Sequence, residues 1–234
     1  MRRSVPAAFL AVAAAIAGSA SADTQVFFSS FDGVVVPAEI GGFFTQESVQ
    51  GFAGMSAPTG TSAFGGNLLR NDTLGGSSTA TTLTLTDLPE HTHVSVSFLL
   101  AVIDSWDSTN GSVSPDLWRI EIGDDFYFET TFAITSGSVN YSNSTAAIYE
   151  AAGNLGWSGY GEKAYDFGLE TQLQNIPHTG DDLTIRIYAH GNGWQGGPDE
   201  SWGIDNLGVS VVNVPAPGAL AIVGVAGLAV RRRR

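Results

Sequence analysis

Two stretches of the chain carry nearly the same chemistry. Ala101-Val102-Ile103-Asp104-Ser105-Trp106-Asp107 and Pro198-Asp199-Glu200-Ser201-Trp202-Gly203-Ile204-Asp205-Asn206 each set Ser-Trp beside two or three acids, where a strand is expected to end. Carboxylate, amide and main-chain oxygens of this kind suit a hard cation such as Ca²⁺, which takes about six to eight of them. Asp116 adds another carboxylate, across an oxygen-rich loop that includes Asn110 and Gly111. If the two strand ends lie side by side, Asp104, Asp107, Asp116, Asp199 and Glu200 converge, and without a cation their repulsion costs stability. The competing reading has the carboxylates capping turns in water while the tryptophans fill the core. The spacing is not that of an EF-hand loop.

A second chemistry is aromatic. Gly156-Trp157-Ser158-Gly159-Tyr160-Gly161 and Gly191-Asn192-Gly193-Trp194-Gln195-Gly196-Gly197 place large rings among glycines, in segments that read as loops. An exposed ring stacks on the apolar face of a sugar while Asn and Gln bond its hydroxyls, so Trp157, Tyr160 and Trp194 are candidate sugar platforms. Burial at one end of the domain is the alternative for rings of this size.

Enzyme motifs are weak or absent, and no catalytic residue is assigned. Gly159-Tyr160-Gly161-Glu162-Lys163-Ala164 has the letters of a dinucleotide fingerprint but neither the preceding parallel strand nor the following helix. Gly156-Trp157-Ser158-Gly159 fails as a nucleophile elbow at Tyr160. His91, His93, His178 and His190 make no zinc-protease motif. His91 and His93 share one strand face, as a solvated or capping pair or as two ligands of a metal. Glycoside hydrolysis needs two carboxylates roughly 5 to 10 Å apart, which so acidic a chain does not exclude. The Glu-x-Asp-x-Glu strand of jelly-roll glucanases is missing, because Glu121-Ile122-Gly123-Asp124-Asp125 reaches Glu129 too late.

The elements that must position these residues are strands. Thr79 to Leu85 alternates Thr with Ala or Leu at a period of two, and His93 to Ile103 is strongly apolar. The turn Asp87-Leu88-Pro89-Glu90 between them predicts an antiparallel hairpin. Further strands are expected at 24–31, 117–122, 126–134, 164–172, 183–190 and 203–212, with the first and last pairing as neighbours. Segment 137–161 reads as a long loop with a short helix. Regular spacing and Gly, Asn and Asp between strands predict an all-β fold, a single antiparallel β-sandwich of the jelly-roll type over residues 23–213.

Charge narrows the partners. The 234 residues include no cysteine, which excludes disulfides and a thiolate nucleophile. Six of the 10 Lys and Arg residues sit at the chain ends. Only Arg70, Arg119, Lys163 and Arg186 remain in 23–213, four against all 23 acids, for a net charge of −19. Such a surface repels phosphate backbones, so no nucleic-acid partner is expected.

The ends read as addresses. Arg2 and Arg3, the apolar run from Ala7 and the Ser19-Ala20-Ser21-Ala22 cleavage pattern predict a secretory signal peptide over 1–22, removed by signal peptidase. At the other end, Val214-Pro215-Ala216-Pro217 precedes a thirteen-residue apolar run, Gly218 to Val230, and then Arg231, Arg232, Arg233 and Arg234. That run falls short of the roughly 20 residues a permanent span needs. The order of proline motif, apolar helix and arginines resembles the PEP-CTERM sorting signal of exported bacterial proteins. The resemblance implies transient membrane insertion through the C-terminal helix and cleavage by an exosortase-like enzyme. A simple C-terminal anchor is the competing reading. Ala216 stands where that family usually has Glu.

The body carries a further resemblance. Ser30-Phe31-Asp32-Gly33 and Trp202-Gly203-Ile204-Asp205-Asn206-Leu207 look like the first and last strands of MAM-like and carbohydrate-binding-module-like jelly rolls. That likeness implies a structural Ca²⁺ shared by Asp32 and Asp205. Taken together, these readings lead us to expect an exported, non-catalytic protein of a bacterial cell envelope or extracellular matrix, stabilised by calcium and binding polysaccharide. A secreted glycan-active enzyme using paired loop carboxylates and a purely structural matrix protein are the alternatives.

Overall fold

Leu117-Trp118-Arg119-Ile120-Glu121-Ile122 buries every second residue, and Leu183 to Ile187 does the same, so each of these strands has one wet face. His93 to Asp104 is instead buried along almost its whole length, which requires cover on both faces. These two patterns define the two sheets of the molecule.

The computed structural model describes residues 23–58, 62–109, 115–135, 141–157 and 159–213. The expected signal peptide and sorting signal, including Val214 to Pro217 and Arg231 to Arg234, lie outside them. The strands are β1 (Thr24–Ser29), β2 (Ile40–Gly42), β3 (Thr45–Ser48), β4 (Asn67–Asn71), β5 (Thr81–Leu85), β6 (His93–Asp104), β7 (Leu117–Ile122), β8 (Phe126–Thr130), β9 (Ala147–Gly153), β10 (Glu162–Asp166), β11 (Ile176–Pro177), β12 (Leu183–His190) and β13 (Glu200–Val212). The only helical elements among the described residues are single 3₁₀ turns. None is a helix long and apolar enough to cross a membrane.

One sheet runs β3-β4-β13-β6-β10-β9, with β1 on β13 and β11 on β6; the other runs β2-β5-β12-β7-β8. All of the strand pairs are antiparallel. Val94, Leu100, Val102 and Ile204 from the first sheet meet Leu83, Ile120, Ile185 and Ile187 from the second in one apolar layer, which makes the fold a β-sandwich. A second cluster, Phe52, Phe64, Leu68, Leu99 and Ile103 among them, lies on the other face of the first sheet and explains why β6 is buried twice over. Among the described residues no such cover lies on the outside of the five-stranded sheet, where β7 and the first five residues of β12 alternate buried and wet positions.

The pairing of first and last strands is found: Thr24 faces Val211 and Phe28 faces Gly208. The hairpin expected of 79–85 and 93–103 is not formed. Strand β5 pairs with β12 and β2, and β6 with β13 and β10, so the two stand in opposite sheets. The reason lies in the link. Leu88 is buried in the core and its amide donates to Asp181 O at 2.8 Å, next to β12. The segment therefore arches over the end of the sandwich, where closing a turn would leave Leu88 in water. Two expected strands also stop early, at Thr130 and Asp166. Within 137–161, the described part forms one 3₁₀ turn, Ser144–Ala146, and strand β9.

Candidate functional site

The two acidic Ser-Trp stretches do come together. Asp104 at the end of β6 and Glu200 at the start of β13 are direct cross-strand partners. Ser105 donates from its amide to the Asp199 carbonyl at 2.9 Å, and its hydroxyl lies 2.8 Å from Asp199 Oδ1. Asp116 reaches into the same corner, where its Oδ2 accepts from the Asp107 amide at 2.6 Å. Asp107 Oδ1 accepts from the Thr135 hydroxyl at 2.7 Å. Asp104 itself sits at φ +76°, a conformation few non-glycine residues adopt.

Asp116 and Glu200 are the deepest of the group, at 0% and 1% exposure. Glu200 Oε2 accepts from the Gln195 amide at 2.6 Å. The remaining oxygens, Asp116 Oδ1 and Glu200 Oε1, are buried with no donor from another group, and the two carboxyls hydrogen-bond each other only through a shared proton. Burial, then the charges of Asp116 and Asp199, push the Glu200 carboxyl up to about 8. Asp116 is also raised, by burial first and then by Asp107 and Asp199. Neither forms an ion pair among the described residues, where the pairs use Glu47, Glu121 and Glu129.

Asp32 and Asp205 form a second, separate acidic pair. Five positions beyond Glu200 on β13, Asp205 points to the opposite face of the sheet, beside Leu99 of the outer cluster. Asp205 accepts from the amides of Gly65 at 3.0 Å and Asn206 at 2.6 Å, while Asp32 accepts from Asn67 at 3.2 Å. Burial and the nearby Asp32 charge push Asp205 up to about 7. Gly66 makes this approach possible: a Cβ there would stand 1.9 Å from Asp32 Oδ1. Beside the pair, the carbonyls of Phe31 and Gly33 converge on the Gln46 amide at 2.6 and 2.5 Å. The donor set is all oxygen, two carboxylates and two carbonyls, and in type it fits a hard cation. Nowhere among the described residues do three His, Cys, Asp or Glu side chains converge as metal ligands.

The three aromatic candidates are not gathered. Trp194 is a correction: it is 8% exposed, its indole donates to Thr73 O at 2.9 Å, and it packs edge-on against Trp106 at 4.8 Å. Its glycine neighbourhood had suggested a loop, but glycine here admits close packing, since a Cβ at Gly75 would lie 2.4 Å from the Trp194 ring. Trp157 is half-buried on the outer cluster, tilted on Phe52 at 5.5 Å, with Arg70 over its ring and its indole donating to Glu47 at 3.1 Å. Tyr160 is exposed, at 62%.

His91 and His93 do not share a face. His91 precedes β6, is buried, and pairs with His178, Nε2 to Nδ1 at 2.8 Å, while His93 Nδ1 contacts the Thr92 hydroxyl at 2.9 Å. Because a carbonyl only accepts, the 2.6 Å contact of His91 Nδ1 with Pro89 O makes that nitrogen a donor. Burial and then His91 hold His178 below the usual imidazole value.

The feature that sequence reading missed is the open face of the five-stranded sheet. Gly41, Thr82, Arg186, Glu121 and Tyr127 stand in register, one on each of β2, β5, β12, β7 and β8, so one rung crosses the whole sheet. Tyr188, Arg119 and Glu129 form the neighbouring rung. Tyr127 is 58% exposed although the Arg119 guanidinium lies 3.9 Å from its ring centre. Glu121 is held by Arg186 at 2.6 Å, Arg119 at 3.1 Å and the Tyr188 hydroxyl at 2.8 Å. Glu129 is held by Arg119 at 3.5 Å and His190 at 2.8 Å. Hollows of about 630 Å³ and about 310 Å³ flank the rung at its Gly41 and Tyr127 ends. The alternation of β7 and β12 marks these residues as outward-facing in the sequence; their alignment across five distant segments does not show there.

No protein-family model matches the chain, and no curated protein matches it. Among solved structures it is similar to a protein described as the Agl-KA catalytic domain, at 15% identity and a TM-score of 0.35 over 89% of this chain and 31% of that one. It is also similar to the CBM22-1 xylan-binding domain of Paenibacillus barcinonensis Xyn10C, at 13% identity and 0.34 over 84% of this chain and 100% of that one. A Bacillus thuringiensis Cry1Da tryptic core variant is similar at 10% identity and 0.27 over 66% and 20%. The chain thus spans about a third of the first of these structures. At such scores nothing of their ligands or activities transfers to this chain.

Proposed function

We propose that this is an exported, non-catalytic protein of a bacterial cell envelope or extracellular matrix whose body binds polysaccharide across the open face of the five-stranded sheet. The rung ending in Tyr127 carries the binding reading. A glycan strand laid along it meets an apolar ring at one end and, at its hydroxyls, the donors and acceptors of Arg186, Glu121 and Thr82. Arg119 and Arg186 are already braced by Glu121, so little side-chain freedom is lost on binding. Covering about 60 Å² of the tyrosine ring is worth roughly 1.5 kcal/mol, about tenfold in affinity. We read the body as a jelly roll, because β4-β13-β6-β10 and β5-β12-β7-β8 interleave early and late strands in two sheets.

Export rests on the sequence of residues 1–22, and sorting on Val214 to Arg234 with its PEP-CTERM-like order of proline motif, apolar run and arginines. Signal peptidase and an exosortase-like enzyme are the processing partners of this reading, and the tail inserts into the membrane only transiently. Asp32, Asp205 and the carbonyls of Phe31 and Gly33 would hold a Ca²⁺ that ties the first strand to the last. The ion would neutralise the Asp32–Asp205 repulsion.

Binding to a panel of soluble neutral and uronic-acid polysaccharides tests the function. Retention by at least one, weakened about tenfold in Tyr127→Ala, is expected. Turnover of a polysaccharide, lost in Glu121→Gln or Glu129→Gln, would identify a glycan-active enzyme instead, and no binding at all a structural matrix protein. The intact mass of the exported product tests the sorting: a product still ending in Arg234 overturns it.

A further inference from the structure

The corner where β6 ends and β13 begins is a built site that the sugar reading does not use. Asp116 and Glu200 are almost wholly buried there, each keeps one carboxylate oxygen with no donor from another group, and the two carboxyls hydrogen-bond each other only when one carries a proton. Their other oxygens are fixed by main-chain amides of Asp107 and Gln195, so neither side chain is free to turn away. Asp104 faces Glu200 across the ladder, and like charges directly opposite destabilise a strand pair. The half-exposed Asp107 and Asp199 mark the solvent side of the corner. A single proton between Asp116 and Glu200 would neutralise one charge of the two. A divalent cation neutralises both and gives each orphaned oxygen a partner.

We propose that Asp116 and Glu200 bind one hard divalent cation, Ca²⁺ by its donor chemistry, at the tryptophan-lined end of the sandwich. This site is distinct from the Asp32–Asp205 pair and independent of polysaccharide binding. Because no three acidic side chains converge among the described residues, the ion completes its shell with carbonyl and water oxygens, as Ca²⁺ does readily. Binding would lock the Ser105–Asp199 crossover that joins the two strand ends.

Trp106 precedes Asp107 in the chain and packs against Trp194, which supplies an optical probe. Tb³⁺ titrated into the purified chain, with the tryptophans excited, should give sensitised emission that Ca²⁺ displaces. Measured in the Asp205→Asn background, which takes away the ion of the Asp32–Asp205 pair, affinity should fall about tenfold or more when Glu200→Gln or Asp116→Asn is added. No Tb³⁺ emission in Asp205→Asn, or identical titrations for Asp205→Asn with and without Glu200→Gln, overturn the proposal. Should the buried variants fail to fold, the thermal midpoint of Asp205→Asn alone decides: it should rise with Ca²⁺ over chelator, and no rise contradicts the site.

Discussion

Asp104 and Glu200 stand directly opposite each other at the meeting ends of β6 and β13, two acids facing the inside of the sandwich. Their neighbours on the same face, Val102 and Trp202, are core residues. Burial and the neighbouring acids push the Glu200 carboxyl up to about 8, so it keeps a proton through the neutral range rather than stand charged beside Asp104 and Asp116. Glu200→Gln removes the ionisable group while its side-chain oxygen can still accept from the Gln195 amide. In chelator its midpoint by calorimetry should equal or exceed that of the native chain. The further rise on adding Ca²⁺ should shrink, leaving only what Asp32 and Asp205 contribute.

Two aromatic substitutions should separate structure from binding. Trp194→Ala opens a cavity beside Trp106 and strands the Thr73 carbonyl, so it should cost about 3–5 kcal/mol by denaturant unfolding. Tyr127→Ala removes a largely exposed ring on edge strand β8 and should shift stability by less than about 1 kcal/mol.

The His91–His178 pair gives acid sensitivity of definite sign. His178 is held below its unfolded value of about 6.5 by burial and by His91, with the Asp182 carbonyl working in the opposite direction. Asp124, Asp125 and Asp182 line the same cleft. Between the folded and unfolded values the unfolded chain binds the extra proton, so stability rises with pH across that window. The contribution is complete above about pH 6.5 and is lost as pH falls through the folded value. Thermal midpoints followed from pH 7.5 down to about 5 should show this slope, and His178→Asn should flatten it.

Asp166 should behave in the opposite sense. Burial raises its carboxyl, while the Gly168 amide, 2.9 Å from Oδ1, pulls it back. A raised folded value means stability falls as pH rises from the unfolded value through the folded one, and the cost is complete above the folded value. Asp166→Asn keeps an acceptor for Gly168 without the buried charge. Its melting midpoint at pH 7 should be higher than that of the native chain, and the difference should vanish toward the acid side of the carboxylate range.

Local pattern reached some of this and not the rest. Strands 117–122 and 183–190 were legible to the residue, because 117–122 and 183–187 alternate an apolar face with a wet one. Reading each acidic stretch as a strand end left their meeting conditional on the two ends lying side by side, and β6 and β13 do pair there. Strands β3, β4 and β9 escaped notice because they are short or built from polar and small residues. The hairpin assigned to 79–103 failed because sequence neighbours were taken for space neighbours, while Leu88 carries the link over the core. Trp194 misled for a similar reason: its glycines mark close packing of backbone against the ring. The Gly41-to-Tyr127 rung was beyond reach, since its five members come from segments up to 145 residues apart, Gly41 to Arg186, and only register aligns them.

The central claim is that the open sheet face holds a glycan strand at Tyr127, and an equilibrium binding titration measures it most directly. The purified chain and its Tyr127→Ala variant are titrated with the soluble polysaccharide that binds best, melting midpoints being matched beforehand. The account predicts about a tenfold weaker dissociation constant for the variant, with the Ca²⁺ response of both chains unchanged. Equal affinities for the two chains would contradict it and move any binding away from this face.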